Sequence, residues 1–467
     1  MSKVRFDRKL LERYGGRGPR YTSYPTAPQF HSGFGDSQYV ERAIRSNTPI
    51  NEQDDAPPPL SLYLHLPFCR TLCYYCGCTK IITRNEDRAQ RYLDVIQKEA
   101  ALHSPMYDRS RQVEQLHLGG GSPTFYSDEQ LGELMDTLRR EFTFAPPDKL
   151  QCSIEVDPRT VAPDRIKALA ALGFNRLSLG VQDFDEEVQG AVNRLQSRED
   201  TLALLDAARA NGFRSVSVDL IYGLPKQTPQ KFVATLETVI DARPDRISLY
   251  SYAHMPQLFK AQKLIDESTL PDGAEKLALL ELSIETLCSA GYEYIGMDHF
   301  ALADDELVKA RESDQLHRNF QGYSTHAYCD LVSLGASAIG HVAHSFYQNE
   351  KNTNRYSEAV VDGRLPIVKG LTRDADDIVR DDVIQDLMCQ GKVDFEQIEE
   401  HFDIDFSTYF FEELEALKPL EADGLVRLAD DAIHVTPTGQ LLLRAVAMTF
   451  DRYLREPAPE QRYSKVI

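Results

Sequence analysis

Four cysteines lie close together in the sequence CRTLCYYCGC at positions 69–78. The first three have the spacing CxxxCxxC, and Cys78 comes two residues after the third. Cysteine thiolates bind zinc and iron–sulfur clusters. If Cys69, Cys73 and Cys76 bind three irons of a 4Fe-4S cubane, the fourth iron keeps a position open for a substrate or cofactor. The spacing therefore indicates a catalytic iron–sulfur centre.

A structural zinc site is the alternative that the spacing leaves open, with Cys78 as a fourth ligand. Zinc sites usually take their ligands from two separated pairs, whereas these four cysteines share one contiguous loop. A zinc-stabilised scaffold without catalysis would be colourless, whereas an iron–sulfur cluster absorbs near the blue end of the visible spectrum. The remaining cysteines are scattered and are expected to be small buried residues: Cys152, Cys288, Cys329 and Cys389.

The elements around the cysteine loop predict a parallel sheet. Short apolar runs that resemble strands alternate with helix-like stretches such as 128–142 and 163–174. Alternating strands and helices form parallel sheets, and six such units predict a partial, open (β/α)6 barrel. A closed barrel of the usual form would need eight strands. The six runs are 61–66, 113–118, 150–156, 176–181, 215–223 and 246–252.

Polar and glycine residues follow the predicted strands, at the edge where such barrels place their active sites. The cysteine loop follows the first strand, and the glycines after the second let backbone approach a ligand closely. They lack the Gly-Lys-Ser/Thr ending of a phosphate-binding loop, which disfavours a nucleoside triphosphate. Several such positions around one edge indicate a ligand site: Gly119 to Ser122, then Glu155, Gln182, Asp219, Tyr252 and Ala253.

The rest of the chain predicts additional domains, because 467 residues exceed the size of one core. The acidic, proline-rich run NEQDDAPPP at 51–59 reads as a linker. Beyond about residue 300 helical patterns dominate, and residues 424–446 predict a hairpin leading into a helix, as in winged-helix modules. We expect an N-terminal extension over the active site (1–55), the barrel (56–300) and a mostly helical C-terminal domain (301–467).

The net charge limits the possible partners. Lys and Arg number 52 against 72 Asp and Glu, which gives a net charge of −20 and repels a phosphate backbone. No apolar run approaches the length that crosses a bilayer, and the charged N-terminus lacks the apolar stretch of a secretory signal. We therefore expect a cytoplasmic protein that binds neither nucleic acid nor membrane.

The sequence of the cysteine loop resembles that of the radical S-adenosylmethionine superfamily. In that superfamily the CxxxCxxC loop has an aromatic residue just before the third cysteine, and here this residue is Tyr75. More narrowly, the chain resembles the family of oxygen-independent coproporphyrinogen III oxidases, also called coproporphyrinogen dehydrogenases, which act in anaerobic haem synthesis. The segments that carry this resemblance are 18–27 (GPRYTSYPTA), 62–84, 116–124 (LHLGGGSPT), 153–159 (SIEVDPR), 175–184, 219–228, 294–301 and 317–323 (HRNFQGY).

The resemblance implies that Cys69, Cys73 and Cys76 bind the cluster and Cys78 does not. It also implies two S-adenosylmethionine molecules, with Tyr63 and Glu155 close to the chemistry. The residues implied around the first molecule are Tyr63, Tyr75, Gly120, Glu155 and Ile339. Those implied around the second are Gly121, Ser122, Gln182, Arg194, Asp219 and Ala253. The guanidinium of Arg194 can pair with a carboxylate, and the carboxylate of Asp219 can accept hydrogen bonds from an amine or a hydroxyl.

The resemblance also implies the reaction. An electron from the reduced cluster breaks the sulfonium bond, and the 5′-deoxyadenosyl radical takes hydrogen from the β-carbon of a propionate. Loss of an electron and carbon dioxide leaves a vinyl group, and two such steps convert coproporphyrinogen III to protoporphyrinogen IX. The substrate has four carboxylates, for which Arg20 and Arg318 are candidate partners. We expect a monomer that receives electrons from a low-potential donor such as flavodoxin or ferredoxin.

A second group of the same superfamily supplies the alternative function. Its members are haem chaperones, which bind haem and do not decarboxylate it. They generally have an aromatic residue at the position of Cys78, and they lack the GPRYTSYPT segment that is present here. Both features favour the enzyme.

Overall fold

The computed structural model of the chain describes residues 4–49 and 56–455. Residues 51–55 of the expected linker lie outside this part. The helices are α1 (Arg8–Tyr14), α2 (Asp36–Arg45), α3 (Glu86–His103), α4 (Asp128–Glu141), α5 (Pro163–Ala171), α6 (Glu186–Ala191), α7 (Arg198–Ala210), α8 (Pro229–Ala242), α9 (Gly273–Ser289), α10 (Glu306–Glu312), α11 (Thr353–Val361), α12 (Ala375–Cys389), α13 (Phe395–Phe402), α14 (Phe406–Tyr409), α15 (Phe411–Ala422) and α16 (Leu443–Ala447). The strands are β1 (Leu60–Leu66), β2 (Phe68–Cys69), β3 (Ile81–Ile82), β4 (Gln112–Gly120), β5 (Thr143–Phe144), β6 (Gln151–Val156), β7 (Arg176–Gln182), β8 (Ser215–Tyr222), β9 (Arg246–Ser251), β10 (Tyr292–Gly296), β11 (His299–Leu302), β12 (His317–Asn319), β13 (Gly322–Ser324), β14 (Asp330–Leu334), β15 (Ile339–Val342), β16 (Ser345–Asn349), β17 (Ile367–Thr372), β18 (Lys392–Asp394), β19 (Val426–Leu428) and β20 (Ala432–Val435).

These elements form two compact units. One, here called the barrel unit, comprises the described residues of 30–271 and 328–372. The other, here called the C-terminal unit, comprises those of 1–29, 272–327 and 373–467. The domain bounds expected from the sequence at 55/56 and 300/301 stay a prediction.

The six predicted strands are present in the barrel unit as β1, β4, β6, β7, β8 and β9. Each pairs in parallel with the next, which confirms the parallel sheet of a partial barrel. Alternate residues of a strand point to opposite faces. The four leucines of β1 are at most 1% exposed on one face, whereas Tyr63 and His65 lie on the other. Apolar packing on one face therefore leaves the opposite face free for polar residues.

The helices between these strands begin where local sequence signals place them. The Ser127 hydroxyl accepts a hydrogen bond from the Gln130 backbone N–H, and the Gln130 side chain accepts one from the Ser127 N–H. This reciprocal capping box starts α4 within the predicted stretch 128–142. Pro163 occupies the first turn of α5, where its missing N–H costs nothing.

The barrel sheet continues beyond the six predicted strands. Its order is β9-β8-β7-β6-β4-β1-β14-β15-β16-β17, with β5 beside β4. Strand β14 joins β1 in parallel, and β15 to β17 continue from it as antiparallel neighbours. Strands β14 to β17, in residues 330–372, were not identified from the sequence, which suggested mainly helices beyond about residue 300.

Part of the N-terminal segment belongs to the core of the barrel unit. Tyr39 on α2 is fully buried, and its hydroxyl lies 2.7 Å from His103 Nδ1 and 2.6 Å from the Tyr107 hydroxyl. Arg111 is buried as well, and it donates to Asp330 at 2.5 Å and to the Ser46 hydroxyl at 2.7 Å. These bonds connect the end of α2 with the starts of β4 and β14.

The C-terminal unit is mainly helical after Ala375, as the sequence predicted. It also has a three-stranded antiparallel sheet in the order β18-β20-β19. The predicted hairpin within 424–446 is present as β19 and β20, and α16 follows it. Phe395 and Phe406 stack with ring centroids 4.1 Å apart inside this unit. No helix of the described residues is both long enough and apolar enough to span a membrane.

Three of the scattered cysteines are buried, as expected. These are Cys152 on β6, Cys329 before β14 and Cys389 at the end of α12. Cys288 is exposed, so the expectation of a buried role is wrong for this residue. It lies near the end of α9, directly after the buried residue Leu287.

Candidate active site

The cysteine loop follows β1 and is held by bonds from distant parts of the barrel unit. Its ends, β2 and β3, pair in parallel. Asn193 donates to the carbonyl of Leu72 at 2.7 Å, and the Tyr74 N–H donates to the carbonyl of Val192 at 3.0 Å. Gln262 donates to the carbonyl of Tyr75 at 3.0 Å. The segment after β7 and the segment after β9 therefore both fix this loop.

Two arginines converge on the thiol of Cys73. Arg159 Nη2 lies 3.4 Å and Arg194 Nη1 lies 3.3 Å from its Sγ atom. Asp157 accepts from Arg159 at 2.6 Å and lies 3.5 Å from Arg194, which balances part of the positive charge. Both guanidinium groups thus lie within hydrogen-bonding distance of this sulfur, and a thiolate is the form of cysteine that binds a metal.

The other thiols of the loop have different environments. A hydrogen bond from Cys78 and the charge of Lys80 lower the pKa of Cys76 to about 6, although burial acts in the opposite direction. Burial and the neighbouring charges of Cys76 and Cys73 raise the pKa of Cys69 to about 12. Cys78 is exposed. The three cysteines of the CxxxCxxC motif thus lie close enough to act on each other electrostatically.

The donor set fits a cluster that carries negative charge. Thiolates and an iron–sulfur core together are anionic, and the guanidinium groups of Arg159 and Arg194 face them at hydrogen-bonding distance of Cys73. Among the described residues, no three His, Cys, Asp or Glu side chains are grouped around a single-ion position. Ligands of a cubane cluster lie farther apart, because each binds a different iron.

Glu155, near the end of β6, contacts two residues of the neighbouring strand β4. Its carboxylate accepts a hydrogen bond from the Gly120 N–H at 3.0 Å and lies 3.2 Å from His117 Nε2. Burial alone would raise the pKa of Glu155, but these two contacts and the charge of His117 hold it below its usual value. Tyr63 stacks on His117 with ring centroids 5.8 Å apart. Tyr63, Gly120 and Glu155 therefore belong to one connected group.

The glycines after β4 are required by the packing of the chain itself. A Cβ atom on Gly119 would lie 2.7 Å from Glu155 Oε1, and one on Gly121 would lie 2.5 Å from the backbone carbon of Pro67. Gly120 has a φ of +110°, which side chains rarely adopt. The Gly121 N–H donates to the Leu66 carbonyl at 2.9 Å. These glycines bring the loop against Glu155 and the end of β1.

Gln182 and Arg194 lie together over Gly180. A Cβ atom on Gly180 would lie 2.9 Å from Arg194 Nη2 and 3.0 Å from Gln182 Nε2, so only glycine leaves room for both. Gln182 has a φ of +71°, the left-handed conformation, at the end of β7. Arg194 is buried, and its Nε atom has no hydrogen-bond partner among the described residues. The guanidinium of Arg194 thus has hydrogen-bonding capacity that the described residues do not use.

Asp219 lies on β8, next to β7 in the sheet. Burial and the negative charge of Glu155 raise its pKa to about 6, although hydrogen bonds from Ser248 and Ser178 oppose the shift. The Ser178 hydroxyl donates to Asp219 at 3.2 Å. The carboxyl of Asp219 can accept a hydrogen bond from a ligand.

The remaining predicted contacts are placed around the same sheet. The Ser122 N–H donates to the Phe68 carbonyl at 2.9 Å. The Ile339 carbonyl, at the start of β15, accepts from Ser333 at 2.7 Å, and Ser333 is the register partner of Tyr63. The Ala253 carbonyl accepts from Gln262 at 3.1 Å. Gln262 thus holds Ala253 and the Tyr75 carbonyl together.

Three residues of the site had no role assigned from the sequence: Arg159, His117 and Gln262. Arg159 lies in the segment SIEVDPR, whose likeness to the family is the one signal that pointed toward it. His117 lies two residues before the glycines on β4. Gln262 lies in a short 3-10 helix after β9 and has no sequence signal of its own. Arg20 and Arg318, the candidates for substrate carboxylates, both lie in the C-terminal unit.

Two family models match parts of the chain. Residues 63–239 match the model described as Radical SAM superfamily, and residues 374–442 match that described as HemN C-terminal domain. The first match covers the cysteine loop and the ends of β1, β4, β6, β7 and β8. It implies a 4Fe-4S cluster and S-adenosylmethionine as cofactors.

Curated relatives match the whole chain. The oxygen-independent coproporphyrinogen III oxidase of Pseudomonas aeruginosa is 47% identical over 467 residues, and that of Escherichia coli K12 is 44% identical over 467 residues. Each alignment covers 100% of both chains. The solved coproporphyrinogen III oxidase (HemN) from Escherichia coli aligns with a TM-score of 0.91 and 43% identity, over 97% of this chain and 100% of that one. This chain therefore belongs to the family of oxygen-independent coproporphyrinogen III oxidases, within the radical SAM superfamily.

Proposed function

We propose that this chain converts coproporphyrinogen III to protoporphyrinogen IX by oxidative decarboxylation of two propionate side chains to vinyl groups. The observation that carries this proposal is the match to a named oxidase over 100% of both chains at 47% identity. Relatives that share only the barrel would leave the substrate undefined, since one fold serves many reactions. Here the similarity extends through the N-terminal segment and the C-terminal unit.

We propose Cys69, Cys73 and Cys76 as the cluster ligands, with Cys78 outside the ligand set. The positive groups beside Cys73 and the lowered pKa of Cys76 support this assignment. When bound, the cluster and S-adenosylmethionine supply the 5′-deoxyadenosyl radical chemistry that removes hydrogen from a propionate β-carbon. The protein then has to bind, orient and shield the reactants.

We propose two S-adenosylmethionine sites on the rim of the barrel unit. The connected group of Tyr63, Gly120 and Glu155 supports a first site, because its carboxylate is held ionised by His117 and a backbone N–H. Tyr75 and Ile339 complete this proposed site, in which Tyr63 and Glu155 are the residues closest to the reaction.

The second proposed site comprises Gly121, Ser122, Gln182, Arg194, Asp219 and Ala253. The unpartnered Nε atom of buried Arg194 suits a methionyl carboxylate. The carboxylate of Asp219 can accept a hydrogen bond from an amine or a ribose hydroxyl of the ligand. Asp219 lies on β8 and Arg194 lies between α6 and α7, and Gly180 on the neighbouring strand β7 leaves room for the Arg194 and Gln182 side chains.

We also propose how the reaction is shielded and how it is supplied with electrons. We expect the N-terminal segment and the C-terminal region to exclude water and oxygen from the bound substrate. A low-potential donor such as flavodoxin or ferredoxin would supply electrons in the cytoplasm to a monomeric enzyme. The haem-chaperone alternative has less support, because the full-length relatives are named as oxidases.

Anaerobic turnover tests the proposed function. The iron-reconstituted protein would be mixed with S-adenosylmethionine, a reductant and coproporphyrinogen III, and protoporphyrin fluorescence would be read after oxidation of the product. We expect product from the wild type and none from Cys69→Ala. Intact cluster absorbance with tight haem binding and no product would assign the chain to the chaperones instead.

A further inference from the structure

Arg318 is a buried cation without an anionic partner in the described part of the chain. It lies on β12 in the C-terminal unit and is 3% exposed. Its Nη1 atom is buried and contacts no hydrogen-bond acceptor among the described residues. An unpaired charge inside a protein is costly, and such groups are usually paired or hydrogen-bonded. Arg318 therefore has the property expected of a residue whose partner is a ligand.

The neighbouring arginines differ from Arg318 in this respect. Arg318, Arg20 and Arg311 all act electrostatically on the hydroxyl of Tyr323, so the three share one region of the unit. Arg20 forms an ion pair with Asp298, and Arg311 forms one with Glu293 at 2.5 Å. The chain thus supplies a carboxylate for two of these three cations.

The guanidinium of Arg318 is held in a fixed orientation. Its Nε donates to the Arg20 carbonyl at 3.2 Å, and its carbon lies 4.8 Å from the ring centroid of Tyr323, its register partner on β13. The Arg318 backbone N–H donates to Gln385 at 3.1 Å. The Nε edge and one face of the group are therefore occupied, and Nη1 has no acceptor among the described residues. Paired terminal N–H groups match the two oxygens of a carboxylate.

We propose that Arg318 binds a propionate carboxylate of the substrate. This inference rests on the proposed function, which supplies a ligand with four carboxylates. Arg20, the other candidate from the sequence, already forms an ion pair with Asp298. Arg318 is therefore the better candidate of the two. The methionyl carboxylate of S-adenosylmethionine has the same chemistry, and the test has to distinguish it.

The test compares porphyrins with free and blocked carboxylates. Coproporphyrin III and its tetramethyl ester would be titrated into the reconstituted holoenzyme in the same dilute detergent, with porphyrin fluorescence as the readout. The variants are Arg318→Gln and Arg318→Lys. Arg311→Gln is the matched control, because it also removes an arginine near Tyr323. Loss of a charge-assisted contact predicts about a tenfold to hundredfold weaker binding of the acid by Arg318→Gln.

The expected pattern is selective. Arg318→Gln is expected to leave binding of the ester unchanged. Arg318→Lys is expected to recover part of the affinity for the acid. Arg311→Gln is expected to keep the wild-type ratio of acid affinity to ester affinity. Equal losses for acid and ester would mean a structural role and overturn the proposal. A raised KM for S-adenosylmethionine with normal porphyrin binding would assign the carboxylate to that molecule and also overturn it. If the wild type fails to turn over coproporphyrinogen III, the proposed function fails, yet the acid-to-ester ratio still decides the role of Arg318.

Discussion

The carboxylate of Glu155 accepts a hydrogen bond from the backbone N–H of Gly120 at 3.0 Å, and this bond ties the end of β6 to the end of β4. The glycine can occupy that place because its φ of +110° is accessible without a side chain. One ionised side chain thus sets the shape of a loop that belongs to the next strand of the sheet.

Glu155→Ala is expected to weaken binding of S-adenosylmethionine by about tenfold or more, because it removes the charged acceptor of the partly buried Gly120 N–H. Glu155→Gln retains an oxygen that can accept from Gly120, so its loss should be smaller. Anaerobic calorimetric titration of each reconstituted variant measures both effects. Equal affinities for the two variants would show that the bond to Gly120 does not shape the site.

The four cysteines of the loop are expected to separate into two classes. Single changes of Cys69, Cys73 or Cys76 to Ser should lower the iron content and remove the absorbance of the cluster. Cys78→Ser is the matched control, since it alters the same loop and is expected to retain both. Iron analysis and visible spectra after anaerobic reconstitution give the answer. A colourless Cys78→Ser protein would place Cys78 among the ligands.

Arg159 is expected to influence the reduction potential of the cluster. Its Nη2 atom lies 3.4 Å from Cys73 Sγ, and hydrogen bonds to cluster sulfurs stabilise the reduced, more negative form. Arg159→Lys should therefore lower the midpoint potential. A redox titration followed by electron paramagnetic resonance measures it. Arg139→Lys, at an exposed site, serves as the control and should leave the potential unchanged.

Glu99 is expected to make the stability of the barrel unit depend on pH. The residue is fully buried, and burial raises its pKa from 4.5 to about 7 despite hydrogen bonds from Tyr356, Gly335 and Asn349. The folded state keeps a proton that the unfolded state has lost. The contribution of Glu99 to stability is therefore complete below the unfolded pKa and is lost as the pH rises through the folded one.

Chemical unfolding from pH 5 to pH 8 measures this contribution. The free energy of unfolding of the wild type, relative to Glu99→Gln, should fall by up to about 3 kcal/mol over this range. Glu358→Gln changes an exposed glutamate on α11 and should give no such slope. A flat difference between wild type and Glu99→Gln would mean that Glu99 is ionised throughout.

Some strands were identifiable from the sequence and others were not, for a reason visible in their residue patterns. Strand β6 alternates buried and partly exposed residues, and the six strands of the barrel occur between well-marked helices. Strands β14 and β16 are buried at every position. Their sequences, DLVSL and SFYQN, show neither strict alternation nor a continuous apolar run, so no local pattern marks them as strands.

The sequence by itself determined the features that depend on local spacing. These are the CxxxCxxC loop, the six parallel strands, the hairpin before α16 and the segments that relate the chain to its family. Tertiary structure alone decided which distant residues meet. Arg159 contacts Cys73 across 86 positions, and Gln262 contacts Tyr75 across 187. Such contacts arise from the order of strands in the sheet, which brings strand ends together whatever their separation along the chain.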